Sequence, residues 1–447
     1  MLKVENLFRE VMRNAALLIG GRATNAVLSL GALAVAARGL GLAGFGVLIL
    51  IHSFAESVSD IVKFQSWQSV LRYGAKPLND DKPQDLQRLL RFTLILDLLS
   101  SVIGVAIGVA GAAVVGPWLK WPHGLAPAAM IYSTSIAFMA SATPLGVLRL
   151  YSRFDILAGQ ATVASLVSLV GGLVALALHL GLKGFLVVWW CGVLAAFVFL
   201  CAGAWGELHR RGALAGFDWR QGHLTRGFPG IWRFALTTNA NATLALTMTH
   251  ISTLIVGGLL NPSQAALWRV AKLVGDTVAA PADMIVNALY PELAKLFAAG
   301  DHHAVGNLAL RIGVAVGAVA TVMLLVAGFG GGPLLGLTLG KGFAAAGSVL
   351  TWQVAAAALS IWALPLEPLL ISTGRAGAAF RARLTVTVCY LLCLAPLVQH
   401  FGVIGAGVAS VGASLLMGAG MMLGVLDWYR DPSTGLARRA QPPRTLT

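Results

Sequence analysis

The sequence predicts a bundle of membrane-spanning α-helices, and three observations carry that prediction. Charged residues are 11% of the 447 and apolar residues 57%, with a mean hydropathy of +0.79. A soluble globular chain carries about 25% charged residues. Apolar runs of about 20 residues, the length that crosses about 30 Å of hydrocarbon, recur from end to end. These runs also lack the alternating pattern of about ten residues that barrel strands show. The expected fold is an all-α polytopic membrane protein of about twelve transmembrane helices, in two six-helix halves around a central cavity.

Each element follows in chain order. The opening stretch MLKVENLFREVMRNAA is polar and amphipathic, without the short apolar core and cleavage site of a signal peptide, so the first span is expected to target the chain. Spans are expected at 15–37, 43–62, 92–115, 128–148, 156–180, 184–206, 230–259, 266–289, 309–330, 348–371, 384–399 and 403–427, the eleventh being short. The longest inner connections, 63–91 and 207–229, are basic and contain aromatic residues, which suits segments lying on the membrane surface. The tail from 428 to 447 is polar and reads as disordered.

Orientation follows from Lys and Arg in the connections. With the N-terminus inside, the inner segments hold 25 of the 32 basic residues. The outer connections hold Arg38, Lys120, Lys183 and Lys341, and Arg22, Arg269 and Lys272 lie within spans. Both termini are therefore expected in the cytoplasm. The net charge of +14 reads as anchoring to the anionic inner leaflet rather than as nucleic-acid binding.

A faint repeat divides the chain. GLGLAGFGVLI (39–49) after the first span parallels GLLNPSQAALWRV (258–270) after the seventh. After the second and eighth spans, Tyr73 parallels Tyr290, Asp81 parallels Asp301 and Arg91 parallels Arg311. The expected organisation is an N-terminal half (1–206), a cytoplasmic linker (207–229), a C-terminal half (230–427) and a cytoplasmic tail (428–447). Parallel repeats of this kind hold substrate between the halves in known transporter plans.

Ionisable residues inside a membrane are costly, at about 2.5–3.5 kcal/mol each near the centre on insertion scales. They are concentrated here on corresponding spans. Span eight carries Arg269, Lys272, Asp276 and Asp283 on one helical stripe, and span two carries Glu56, Asp60 and Lys63 at i, i+4 and i+7. Span one adds Arg22, Asn25 and Ser29, and span seven adds Asn239, Thr243, Thr247 and His250. The stripes are expected to face a shared hydrated cavity. Blander readings compete. Arg269 and Asp283 lie near span ends, where side chains snorkel, and Lys272 and Asp276 can pair at i, i+4. Asn and Thr often join membrane helices. Asp97 and Glu367 stand alone in sequence, the latter between Pro365 and Pro368, where a broken helix could admit water.

Enzyme motifs find little support. GLTLGKG (336–342) has the wrong spacing for a phosphate loop and lacks the Ser or Thr after Lys. DHH (301–303) has no further ligands around it, and Cys191, Cys201, Cys389 and Cys393 all fall in spans, where packing accounts for them. No cofactor or metal is expected, and the chain is not read as an enzyme.

ARGLGLAGFGVL (37–48), ALYPELAKLFAAGD (288–301) and GKGFAAAGSVL (340–350), in that order and spacing, resemble the multidrug/oligosaccharidyl-lipid/polysaccharide exporter superfamily, particularly its O-antigen and polysaccharide flippase branch. The resemblance covers residues 10–427. It implies a bacterial inner-membrane flippase that moves a polyprenyl-diphosphate-linked oligosaccharide from inner to outer leaflet for surface polysaccharide synthesis. Its partners would be that carrier lipid and membrane lipids, with room for other polysaccharide-assembly proteins. In that reading Arg22, Arg269 and Lys272 would meet the diphosphate, and Asn25, Asn239 and Thr243 the sugar hydroxyls. Glu56, Asp60, Asp276 and Asp283 are candidates for ion coupling or charge pairing, and they keep open an ion-coupled multidrug/cation antiporter of the same fold. A membrane polysaccharide polymerase is a further alternative, but no connection offers the large outer loop it would need.

Overall fold

The structure is a computed structural model that describes residues 2–122, 124–140, 142–216, 224–225, 227–277, 279, 302–372 and 375–430. Within helices, only the backbone is described for residues 2–23, 240–249, 302–306, 308–309, 371–372, 376 and 428–430. Among the described residues every regular element is helical, and nine helical stretches are long and apolar enough to cross a membrane.

Helix α1 (Leu2–Val62) is two helical arms joined at Gly41, whose φ of 65° and ψ of 176° break the helical path. Only glycine adopts that left-handed φ at little cost, so ARGLGLAGFGVL turns here and spans one and two become separate arms. Helix α2 (Ser66–Asn79) is short and two-faced, burying Ser66, Ser69, Val70, Gly74 and Pro77. It occupies the connection between spans two and three. Helix α3 (Pro83–Trp118) starts with Pro at its first turn, where the missing N–H costs nothing.

The fourth span, expected as one helix over 128–148, is instead three short helices: α4 (Ala126–Ser133), α5 (Ile136–Met139) and α6 (Thr143–Leu150). A break inside a membrane exposes backbone N–H groups that need partners. Asp97 on α3 supplies one. Its Oδ2 accepts the N–H groups of Ala142 at 2.9 Å and Thr143 at 2.7 Å, and Asp97 is only 5% exposed. The carboxylate that stood alone in sequence is the cap of α6.

Helices α7 (Phe154–Ala177) and α8 (Gly181–Arg210) are held together at one end by Glu207. It is buried and bonded to Arg153, to Arg210 at 2.6 Å and to Arg211 at 2.7 Å. Helix α9 (Ile231–Leu259) follows, then α10, helical over residues 262–277. The rest of the eighth span, with Asp283, lies outside the described residues.

Helix α11 (His302–Leu339) meets α12 (Ala346–Trp362) backbone to backbone at Gly332 and Gly347. A Cβ added at Gly347 would meet the Gly332 backbone at 2.7 Å, the close approach that small residues permit in membrane helices. A 3₁₀ turn (Lys341–Ala345) precedes α12. The tenth span breaks before α13 (Leu366–Ser372). The eleventh span is not short: α14 runs Ala376–Phe401, 26 residues, before α15 (Val403–Arg430). Its first turns carry Arg381 and Arg383, which charge counting assigns to a connection. Arg383 is accommodated because it clasps Glu367 with bonds of 2.8 and 2.7 Å. Glu367 is thus one partner of an ion pair, both of its oxygens accepting from Arg383 Nη2.

The chain divides into two compact units, Met1–Gly258 and Leu259–Thr447. Apolar cores in the first gather Val70, Leu90, Leu148 and Leu200, and separately Leu89, Phe92, Leu96 and Phe228. A core of the second gathers Leu369, Leu370, Met421 and Val425.

Candidate functional site

The second arm of α1 presents His52, Glu56 and Asp60 at steps of four, and Lys63 follows directly after its last residue, three beyond Asp60, with its N–H still bonded to the Ser59 carbonyl. That spacing keeps them on one helical face, over about 17 Å of axis at 1.5 Å per residue. Within the first unit this face becomes a continuous line of acid–base groups. Tyr132 of α4 lies 2.7 Å from His52 Nδ1. His52 Nε2 is 3.3 Å from Glu56 Oε1, and Glu56 Oε2 is 2.9 Å from His250 Nδ1 of α9. His250 Nε2 is 3.6 Å from Asp60 Oδ2, and Asp60 Oδ1 is 3.7 Å from Lys63 Nζ.

The burial is partial and uniform. Side-chain exposures are 19% for His52, 25% for Glu56, 14% for His250 and 13% for Asp60. Trp189 of α8 packs edge-on to His52 with ring centres 4.9 Å apart, closing that end. A neutral His52 can accept the Tyr132 hydroxyl proton at Nδ1 and present its Nε2 proton to Glu56. The Glu56–His250 approach is short without meeting ordinary hydrogen-bond geometry. Two imidazoles flank one carboxylate here, in a largely buried place where electrostatic interactions are stronger than in bulk water. The arrangement can hold, release and pass protons.

The structure brings together Glu56 and Asp60, which the sequence reading singles out, with His250 and Lys63 from the same polar stripes. It adds His52 and Tyr132, which that reading misses. His52 sits one turn before Glu56 on the same stripe, so helical spacing was enough to find it. Tyr132 comes from a separate helix, and no local pattern announces it.

The other candidates are placed differently. Asn25 Oδ1 accepts the Ser165 hydroxyl of α7 at 2.6 Å, a bond between helices of the first unit. Asn239 lies on α9 with a buried Oδ1. In the second unit Lys272 Nζ is 3.5 Å from Asp276 Oδ1 on α10, with side-chain exposures of 20% and 55%. Arg269 is half-buried one turn earlier on the same helix. The side chains of Arg22 and Thr243, and all of Asp283, lie outside the described residues. Among the described residues no group of three or more His, Cys, Asp or Glu is arranged to hold a metal ion, and all four cysteines are free thiols.

No known family profile matches the chain. The chain is 31% identical over 352 residues to the inner membrane protein YghQ of Escherichia coli K12, covering 75% of this chain and 94% of that protein. Its fold matches an inward-facing multidrug resistance MATE family transporter of the MOP superfamily. The TM-score is 0.73 at 11% identity, over 93% of this chain and 96% of that one. It also matches the lipid II flippase MurJ in an inward closed conformation, with a TM-score of 0.65 at 12% identity, over 94% and 91% of the two chains. The chain is therefore a multi-pass membrane protein that has the fold of MOP-superfamily transporters and belongs to the family of the inner membrane protein YghQ.

Proposed function

We propose that this protein is a flippase of the O-antigen and polysaccharide branch, moving a polyprenyl-diphosphate-linked oligosaccharide from the inner to the outer leaflet by alternating access. Two six-helix halves would rock about the substrate, with both termini in the cytoplasm and the carrier lipid's tail left in the bilayer. Arg22, Arg269 and Lys272 would meet the diphosphate, and Asn25, Asn239 and Thr243 the sugars. Other polysaccharide-assembly proteins would supply and consume the lipid-linked unit.

One observation carries the preference for an anionic substrate. Five of the described carboxylates within the spans face partners of their own chain: Glu56 two histidines, Asp60 Lys63, Asp97 two backbone N–H groups, Asp276 Lys272, and Glu367 Arg383, while Asp427 is exposed at the last residue of its span. An organic cation would have to displace one of these partners, at the cost of stranding a charge in a poorly hydrated place. On α10 the Lys272–Asp276 pair is long, at 3.5 Å, and Asp276 is 55% exposed, so a diphosphate would draw Lys272 from it at little cost.

The second reading, an ion-coupled cation antiporter of the same fold, draws on the clustering of Glu56 and Asp60 beside His52 and His250. One experiment separates the two. In proteoliposomes, the wild-type protein is expected to translocate a fluorescent polyprenyl-diphosphate oligosaccharide, and Arg269→Ala and Lys272→Ala to slow it by about tenfold each. Transport of a cationic dye, with no movement of the lipid-linked sugar, would replace the first reading by the second. Orientation is checked by tags: one at residue 215 should report cytoplasm and one at 122 the opposite side.

A further inference from the structure

At the end of the first unit that carries its most basic connection, α2, the start of α3 and residues 227–229 enclose a cavity of about 340 Å³. That is within the range of small-ligand sites, about 300–1,000 Å³. Arg72, Lys76, Asp80, Lys82 and Asp85 line it, over a floor that includes Phe228. Its acids are already matched. Asp80 faces Lys82 at 3.6 Å, and Asp85 faces Arg88 at 3.2 Å. Asp81 is exposed beside them.

Arg72 and Lys76 are different. Among the described residues no carboxylate lies within ion-pair distance of either. Arg72 is nevertheless held in place, its guanidinium 4.4 Å from the centre of the Phe234 ring and 5.6 Å from that of Tyr73. Those rings are themselves fixed. Tyr73 stands edge-on to Phe228 and Phe234, and its hydroxyl donates to the Pro229 carbonyl at 3.3 Å. Ring stacking engages the face of a guanidinium and leaves its edge N–H donors available, in the fork geometry that matches phosphate oxygens. Lys76 follows one helical turn later and adds a second positive charge on the same wall.

We propose that this cavity is a phosphate-binding site, filled by the phosphate of an anionic lipid headgroup or by a soluble phosphate compound. The site stands on the first unit alone and does not depend on the transported substrate. Fixed Arg72 supplies directional donors, Lys76 supplies charge, and the paired acids do not repel the ligand.

The test uses the full chain in two arms. In one, it is placed in nanodiscs of phosphatidylethanolamine, alone or mixed with phosphatidylglycerol, and retained lipid is counted by native mass spectrometry. In the other, inorganic pyrophosphate is titrated into detergent-solubilised protein. Binding in the first arm identifies a lipid headgroup, binding in the second a soluble phosphate, and binding in both a site that accepts either. In whichever arm responds, the double variant Arg72→Gln with Lys76→Gln is expected to bind at least about tenfold more weakly. Arg72→Lys should lose part of that affinity, because its charge remains but its planar fork does not. Arg210→Gln, a cation already held by Glu207, should bind as wild type does. No binding in either arm, unchanged binding by a folded double variant, or an equal loss in Arg210→Gln would overturn the proposal.

Discussion

Two charged stripes that look alike in sequence come to rest in different surroundings. On α1, Glu56 and Asp60 are three-quarters or more buried, and several groups of the first unit converge on them. On α10, Asp276 is 55% exposed and meets Lys272 at 3.5 Å within its own helix. The difference lies in tertiary partners. The α1 stripe draws His250 from α9 and Tyr132 from α4, whereas the pair on α10 is complete at i, i+4. A buried network ties its charges to the fold, while a half-exposed pair is shielded by its surroundings and contributes little.

The largest effect is expected where the network is cut. Glu56→Ala should lower stability by about 3 kcal/mol, because the ring nitrogens of His52 and His250 both lose the buried carboxylate they face, and should reduce export by more than tenfold. Thermal unfolding in detergent and surface-polysaccharide export in cells would measure the two. If Glu56→Ala unfolds no earlier than Asp276→Ala, the contrast between the stripes is wrong.

Charge reversal on α10 comes next. Arg269→Glu and Lys272→Glu should impair export more than the alanine replacements do, at normal protein abundance, since each would repel a diphosphate. Wild-type export from both reversals would remove the cationic role of this helix. His250→Gln should be milder, at about 1–2 kcal/mol, because the amide can still donate to one carboxylate. A cost equal to that of Glu56→Ala would mean the histidine anchors the network as firmly as the carboxylate does.

The smallest effect on stability belongs to Asp276→Asn, within about 0.5 kcal/mol because the pair is exposed. Export should stay near the wild-type level if the pair is structural, because Lys272 keeps its charge and remains able to meet the diphosphate. A folded Asp276→Asn variant whose flipping no longer responds to a pH gradient that drives the wild type would make Asp276 a coupling residue instead.

Much of this was legible in the sequence, and the rest was not for identifiable reasons. Helix positions follow from apolar runs, and the Glu56, Asp60 and Lys63 face follows from helical pitch alone. The break in the fourth span was hidden because its residues are apolar throughout, and its cause, Asp97, lies 46 residues before Thr143. Glu367 looked isolated because its partner Arg383 is on the next helix, 16 residues away. The extent of α14 was underestimated for the same reason: an arginine paired across helices can sit inside an element that charge counting would end. Pairings within one helix are written locally. Pairings between helices are written only in the fold.

The His250–Glu56 contact also bears on how the chain is made. Glu56 precedes His250 by 194 residues, so at about 5–20 residues per second its partner is synthesised about 10–40 s later. For that interval the second arm of α1 must reside in the translocation machinery or the bilayer without the imidazole that later stands between its two carboxylates. Membrane insertion of this arm is then provisional until α9 emerges. A chain truncated before residue 231 should be degraded faster than one ending after 259, although each contains the whole of α1.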